Sequence, residues 1–204
     1  MLGRYKLYFK PQTRAFVARW MLEEVQADYE LAAIDLEAGE NRAPAFLAIN
    51  PMGKVPTLIL PDGTVMTESA AILAHLADCF PEASLAPEIG TSARAIYYRW
   101  LFFAPSCLEP ATVDVMMRKD SEPLPKHAVG WGSYDDVVDT VEGQLDRAAY
   151  VTGETFTAAD LAVGAALWWM TQFGAPRMAQ SQAIQSFIGR VTARDAFKRA
   201  QAAV

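Results

Sequence analysis

The chain has 204 residues, 52% hydrophobic and 21% charged, which is the composition of a folded globular protein of one large or two small domains and excludes a disordered one. A formal charge of −6 argues against nucleic acid as a partner, because phosphate neutralisation needs concentrated positive charge. Two cysteines and two histidines (His75 and His127) exclude a disulfide-rich scaffold, a four-thiolate zinc site and a histidine-rich metal centre, so any chemistry uses hydroxyls, arginines, carboxylates or a borrowed group.

Tyr5–Phe9 is short, aromatic-rich and bounded by Pro11, which predicts a strand. From Arg14 to Val25 the apolar residues Phe16, Val17, Trp20, Met21 and Val25 recur at helical spacing. A second strand is predicted over Tyr29–Ile34 and a short helix over Ala43–Ile49. Val55–Leu60 and Val65–Thr67 flank Pro61-Asp62-Gly63-Thr64, a hairpin signature, and a helix over Ser69–Cys79 closes a βαβ, short helix, ββα unit. Pro81–Gly90 reads as a linker. Beyond it every signal is helical: Ser92–Met117, Tyr134–Ala149, Ala158–Phe173, and Gln180–Ala203 with a break near Asp195, with Lys119–Lys126 as a charged loop. The prediction is an α/β domain over residues 1–80 and an all-α domain over 91–204.

Lys10 and its neighbours Arg4 and Lys6 interrupt the first residues, so no secretory signal is read there, and Leu161–Met170 is too short for a span of about 18 residues or more. A cytoplasmic protein with reduced thiols and no membrane partner is expected. No Cys-x-x-Cys is present, which argues against dithiol redox chemistry.

Four segments carry chemical information. Asn50-Pro51-Met52-Gly53-Lys54-Val55-Pro56 leads into a strand, and Pro56 there is a candidate cis proline that turns the N–H and C=O of Val55 toward an extended, peptide-like ligand. Thr67-Glu68-Ser69 sits at a strand-to-helix junction, where the free N–H groups and the Ser69 hydroxyl suit a carboxylate and Glu68 suits an ammonium; Thr67 or Ser69 equally serves as a cap. The turn Tyr8-Phe9-Lys10-Pro11-Gln12-Thr13-Arg14 opens the first helix, with Thr13 read as its N-cap and Thr13 or Tyr8 as a hydroxyl donor to a thiolate. Thr157 and Asp160 have capping-box spacing, with Phe156 and Leu161 at staple positions, so Asp160 is structural. The Arg190, Arg194 and Lys198 row reads as a solvated helix face.

Taken together, these segments, with Tyr29 and the closing Ala193-Arg194-Asp195-Ala196-Phe197, resemble the cytosolic glutathione S-transferase superfamily, especially its bacterial members, over essentially the whole chain. The resemblance implies a thioredoxin-like N-terminal domain that binds glutathione and an all-helical C-terminal domain that contributes the acceptor pocket. It places the cysteinyl backbone of glutathione on Val55 beside Pro56, the γ-glutamyl end at Glu68 and Ser69, the glycyl end beside Lys54, and Arg14 at a basic position after the first turn. It implies activation of the glutathione thiol and its conjugation to a small hydrophobic electrophile, with glutathione as co-substrate, no metal, and a homodimer. The thiol is activated by Thr13, favoured for its helix start, or by Tyr8. Phe103, Cys107 and Trp168 are read as acceptor-pocket residues, on an aromatic stripe of a kind that is more often core than pocket. A glutathione-dependent isomerase or dehalogenase, or a non-catalytic binding protein of the same fold, uses the same first site.

Overall fold

Residues 4–202 are described in a computed structural model, in which the chain forms two compact units. The first takes in the chain up to Ala83 and resumes at Arg194; the second is residues 84–193.

The first unit is built on a four-stranded sheet in the order β2-β1-β3-β4. Strand β1 (Tyr5–Phe9) has the period-two pattern of a strand with one buried face: Tyr5, Leu7 and Phe9 are buried, while Lys6 and Tyr8 on the other face are half-buried. Helix α1 (Ala15–Glu24) buries Ala15, Ala18, Trp20, Met21 and Leu22 and carries the crossover to the parallel strand β2 (Tyr29–Ala33). After a short α2 (Pro44–Leu47), β3 (Thr57–Ile59) runs antiparallel to β1, with Tyr8 opposite Thr57, and the Pro61–Thr64 turn returns the chain as β4 (Val65–Met66). That turn is held by the Asp62 carboxylate, which accepts the Thr64 N–H at 2.9 Å, with Gly63 at φ 88°. Helix α3 (Ser69–Cys79) follows and packs against α1. Because β3 is antiparallel to both neighbours, its beginning lies beside the ends of β1 and β4. The turn after β1, the loop before β3 and the turn after β4 therefore gather at one end of the sheet.

Helix α9 (Asp195–Gln201) also belongs to this unit, although the sequence reading ran the helical domain to residue 204. Phe197 is buried edge-on to Trp20, ring centroids 4.9 Å apart, and to Phe16 at 5.4 Å. Arg194 grips Glu24 with two 2.7 Å bonds, the Glu24 side chain being only 6% exposed, and Arg199 reaches Glu23 at 2.8 Å. The expectation of a solvated basic row thus fails at Arg194, whereas Arg190 is exposed as expected and donates to the Ala149 carbonyl. Lys198 matches it too, exposed and paired with exposed Asp195.

The second unit is helical. Helix α4 (Ser92–Phe103) starts at Thr91, whose hydroxyl accepts the Arg94 N–H at 3.2 Å. The single helix predicted to Met117 is interrupted: residues 104–108 form a π-turn before α5 (Glu109–Met117). Pro105 lies in that turn, and its missing N–H deprives the α-helical ladder of a bond there. Helix α6 (Tyr134–Leu145) is capped by Ser133, α7 is Ala158–Gln172, and α8 (Gln182–Thr192) is capped by Ser181. Helices α7 and α8 approach closely at Gly164, where a Cβ would stand 2.8 Å from a Val191 methyl. The predicted linker is partly built into this unit, since Leu85 is buried and its carbonyl accepts the Ala158 N–H at 2.8 Å. No helix of the described residues is long and apolar enough to cross a membrane.

The capping box at α7 forms, and Asp160 does more than close it. Its fully buried carboxylate accepts the Thr157 N–H and hydroxyl, both at 2.9 Å, the Val151 N–H at 2.7 Å and the Thr152 hydroxyl at 3.2 Å. Burial pushes its pKa up to about 6 from 3.8, against the pull of those hydrogen bonds. The folded state therefore holds the Asp160 proton more tightly than the unfolded chain. This contribution to stability is full below the unfolded value and is lost as pH rises through about 6.

Two measurements check these packing arguments. Arg194→Ala removes the counter-ion of the buried Glu24 carboxylate, leaving it the Trp20 indole N–H, and is expected to lower the free energy of unfolding in urea by about 2–4 kcal/mol, with Lys198→Ala changing it by less than about 0.5 kcal/mol. The unfolding free energy of the parent is expected to drop by up to about 3 kcal/mol across the Asp160 titration, and Asp160→Asn, less stable throughout, to lack that step.

Candidate functional site

The turn after β1 is shaped by its own polar groups. Thr13 Oγ1 donates to the Lys10 carbonyl at 2.7 Å and accepts the Ala15 N–H at 3.3 Å. The Thr13 hydroxyl thus does what a cap does for the first turn of α1, as expected, while Arg14, next to Ala15, is already helical at φ −60° and ψ −14° and has no side-chain cap of its own. Arg14 is exposed at the start of α1. Tyr8, at the end of β1, lies edge-on to Phe46 of α2 at 5.1 Å, and its hydroxyl has no partner among the described residues. Lys10 turns away from the helix and pairs with Glu37 at 3.0 Å.

The loop before β3 is held from inside. Asn50 and Thr57 are buried, 3% and 0% exposed. The Asn50 amide donates to the Lys54 carbonyl and to Thr57 Oγ1, each at 2.9 Å, while its oxygen accepts the Met52 N–H at 3.1 Å. Thr57 Oγ1 in turn donates to the Lys54 carbonyl at 2.9 Å. Val55–Pro56 is a cis peptide bond. Neither the N–H nor the C=O of Val55 has a partner among the described residues, although backbone groups at a strand start ordinarily find one. From outside, Asn41 donates to the Gly53 carbonyl at 2.8 Å and Arg42 to the Met52 carbonyl at 3.2 Å. The Lys54 ammonium is exposed and makes no ion pair among the described residues.

At the third segment, Glu68 is the N-cap of α3 with φ 66° and ψ 113°, an unusual backbone conformation for a residue other than glycine. Its carbonyl accepts the Ile72 N–H at 2.9 Å, but neither its carboxylate nor the Ser69 hydroxyl has a partner among the described residues. The capping role weighed for Ser69 is not the one it takes. The sheet thus brings Tyr8, Thr13, Arg14, Lys54, Val55, Pro56, Glu68 and Ser69 to one end, with both signs of charge and an unpaired peptide edge. Such an end suits an extended zwitterionic peptide.

In the helical unit, Phe103 and Cys107 lie on and beside the π-turn, and Trp168 is half-buried on α7, against which that turn packs. The Phe103 ring stands edge-on to Trp100 at 5.1 Å. The Cys107 sulfur is 3.8 Å from Ser106 Oγ. None of these three residues lines the cavity of about 610 Å³ that the unit holds near Ala111, Trp131 and Tyr134. Cys79 is exposed beside His75, 3.4 Å away, and burial of its sulfur raises its thiol pKa, so it is not an activated nucleophile. No group of three or more metal-ligating side chains is found among the described residues.

Residues 3–78 match the glutathione S-transferase N-terminal domain, and residues 70–202 match the glutathione S-transferase C-terminal domain. The chain belongs to the glutathione S-transferase family. It is 29% identical to glutathione S-transferase GstA of Escherichia coli O157:H7 over 169 residues, 80% of this chain and 81% of that one. Its fold is similar to a solved glutathione transferase from Methylococcus capsulatus (TM-score 0.81, 30% identity, 96% of each chain). It is likewise similar to a glutathione transferase homologue from Sulfitobacter solved with bound glutathione (TM-score 0.79, 28% identity, 98% of each chain).

This transferase holds its peptide edge with residues to which the sequence alone assigns no such role. Asn50 stood in the motif only as the neighbour of Pro51, and the signal for it was the Asn-Pro-Met-Gly run, in which an asparagine accepts the N–H two residues on. Asn41 and Arg42 carried no local signal. Gly53, at φ 61°, is fixed by them: a Cβ there would lie 2.7 Å from the Asn41 carbonyl oxygen and 2.9 Å from the Arg42 guanidinium. Gly53→Ala is therefore expected to weaken glutathione binding by about tenfold or more and to destabilise the fold by about 1–3 kcal/mol, as read by calorimetric titration and thermal unfolding.

Proposed function

We propose that this transferase binds glutathione at the gathered end of the sheet and ionises its thiol for attack on a small hydrophobic electrophile. The unpaired N–H and C=O of Val55 carry this reading, because they offer one donor and one acceptor to the cysteinyl backbone of an extended tripeptide. Glu68 takes the γ-glutamyl ammonium. The γ-glutamyl carboxylate goes to the Ser69 hydroxyl and the first N–H groups of α3, where the helix dipole favours negative charge. Lys54 lies at the glycyl carboxylate, and Arg14 adds positive potential after the first turn.

A free thiol of pKa near 8.5 is only a few per cent ionised at neutral pH, and each unit of depression needs about 1.4 kcal/mol of preference for the thiolate. One hydroxyl hydrogen bond to a charged sulfur, about 1.5–3 kcal/mol, is of the right size. Tyr8 supplies it in this proposal, because its hydroxyl is uncommitted, whereas Thr13 already donates to Lys10 and holds the turn. The thiol proton passes to solvent, and the thiolate then forms the C–S bond. In substitution the leaving group departs with the electron pair of its bond to carbon; in addition the product carbanion takes a proton from solvent.

Residues 1–80 serve as the glutathione-binding domain. The helical domain from residue 91 contributes the acceptor wall, with Phe103, Cys107 and Trp168 as its apolar members, and the enzyme works as a cytoplasmic homodimer. Support for these assignments comes from the family resemblance and from the half-burial of the three side chains.

Retention on immobilised glutathione with elution by free glutathione tests the binding site, and turnover of an aromatic halide tests the chemistry. Tyr8→Phe is expected to raise the pH of half-maximal kcat/KM by about one to two units and to lower kcat/KM at neutral pH by about 10- to 100-fold. The same shift produced by Thr13→Val instead would transfer the role to Thr13, and no shift in either would remove both.

A further inference from the structure

We infer that Asn50 and Thr57 are positioning residues for glutathione, acting through the peptide group that joins Lys54 to Val55; this rests on the reading that Val55 holds the cysteinyl unit. The Lys54 carbonyl receives two buried donors, Asn50 Nδ2 and Thr57 Oγ1, each at 2.9 Å, so both of its lone pairs are occupied from one side. A peptide group is planar, and the carbonyl of Lys54 and the N–H of Val55 are opposite edges of one plane. Fixing the oxygen from the interior therefore fixes the direction in which the Val55 N–H points, away from the buried pair. That N–H is one of the two groups the tripeptide is proposed to use.

The pair is internally complete. Thr57 Oγ1 accepts from Asn50 and donates to Lys54, and the Asn50 oxygen accepts the Met52 N–H at 3.1 Å. Rotating the Asn50 amide by half a turn would set its oxygen against the Lys54 carbonyl and its N–H groups against the Met52 N–H, so a single orientation satisfies all partners. Neither side chain is placed to touch the tripeptide, both being buried. Their effect is one of preorganisation: without them the peptide plane rocks, and glutathione has to fix it at the cost of affinity.

Thr57→Val keeps the shape and removes the hydroxyl; Thr57→Ser keeps the hydroxyl. Glutathione is titrated calorimetrically into the full-length parent and both variants, and steady-state KM is measured for glutathione and separately for an aromatic halide. Thr57→Val is expected to weaken glutathione binding by about tenfold, equivalent to about 1.4 kcal/mol, with KM for the halide and kcat changed by less than about twofold, and Thr57→Ser to return to within about twofold of the parent. Thr112→Val, a fully buried threonine in the helical unit that donates to the Leu108 carbonyl, controls for general destabilisation and is expected to lower the melting temperature without moving KM for glutathione. If Thr57→Val melts lower but binds glutathione like the parent, the pair is structural only and the inference is overturned while Val55 keeps its role. A parent that does not bind glutathione overturns both.

Discussion

The pairing of Tyr8 with Thr57 across β1 and β3 is the constraint on which the site depends. Because those strands run in opposite directions, the end of one and the beginning of the other are held about 5 Å apart by the ladder itself. The further antiparallel step to β4 brings the turn before α3 to the same place. Three loops from distant parts of the sequence thereby share one end of the sheet. Each then solves a local problem: the first closes on Lys10, the second on Lys54, and the third begins a helix at Glu68.

The charge arrangement follows the same economy. Near this end, Lys10 is consumed by Glu37 and Asp35, whereas Lys54, Glu68 and Ser69 keep their polar groups for solvent or ligand. Elsewhere the first unit spends its ions on structure, with Glu23 and Glu24 of α1 gripping Arg199 and Arg194 of α9. The distinction between a binding charge and a structural one lies in burial: Glu24 could not be left alone in the interior, while Glu68 at the surface loses little by waiting.

Most elements were legible because their signals are local. Ser69–Cys79 ends where the sequence places it, and β1 shows its alternation directly. Pro56 was singled out for a cis bond by its position, and the bond is cis. What was not legible depended on partners far away in sequence. Arg194 reads as a surface residue until Glu24, 170 positions earlier, is found beneath it. The interruption at Pro105 was visible as a proline but masked by helix-forming residues on both sides, since the π-turn widens the helix by one residue without ending it. The capping bond of Thr13 was legible from its place before the helix, but nothing local announces the left-handed Gln12 just ahead of it. The buried partnership of Asn50 with Thr57 required knowing that a loop residue and a strand residue seven positions on face the same interior.

The place of α9 bears on how the molecule is made. The sheet and its three loops are complete once the ribosome has passed Ala83, yet the helix that covers Trp20 and neutralises Glu24 begins only beyond Arg194. Synthesis of residues 84–193 occupies on the order of ten seconds, during which the nascent first unit shows an aromatic surface and a carboxylate without its counter-ion where α9 will sit. Residues from Arg194 on are thus the step that closes the sheet unit, and losing them would leave that unit unfinished although its own strands were all present.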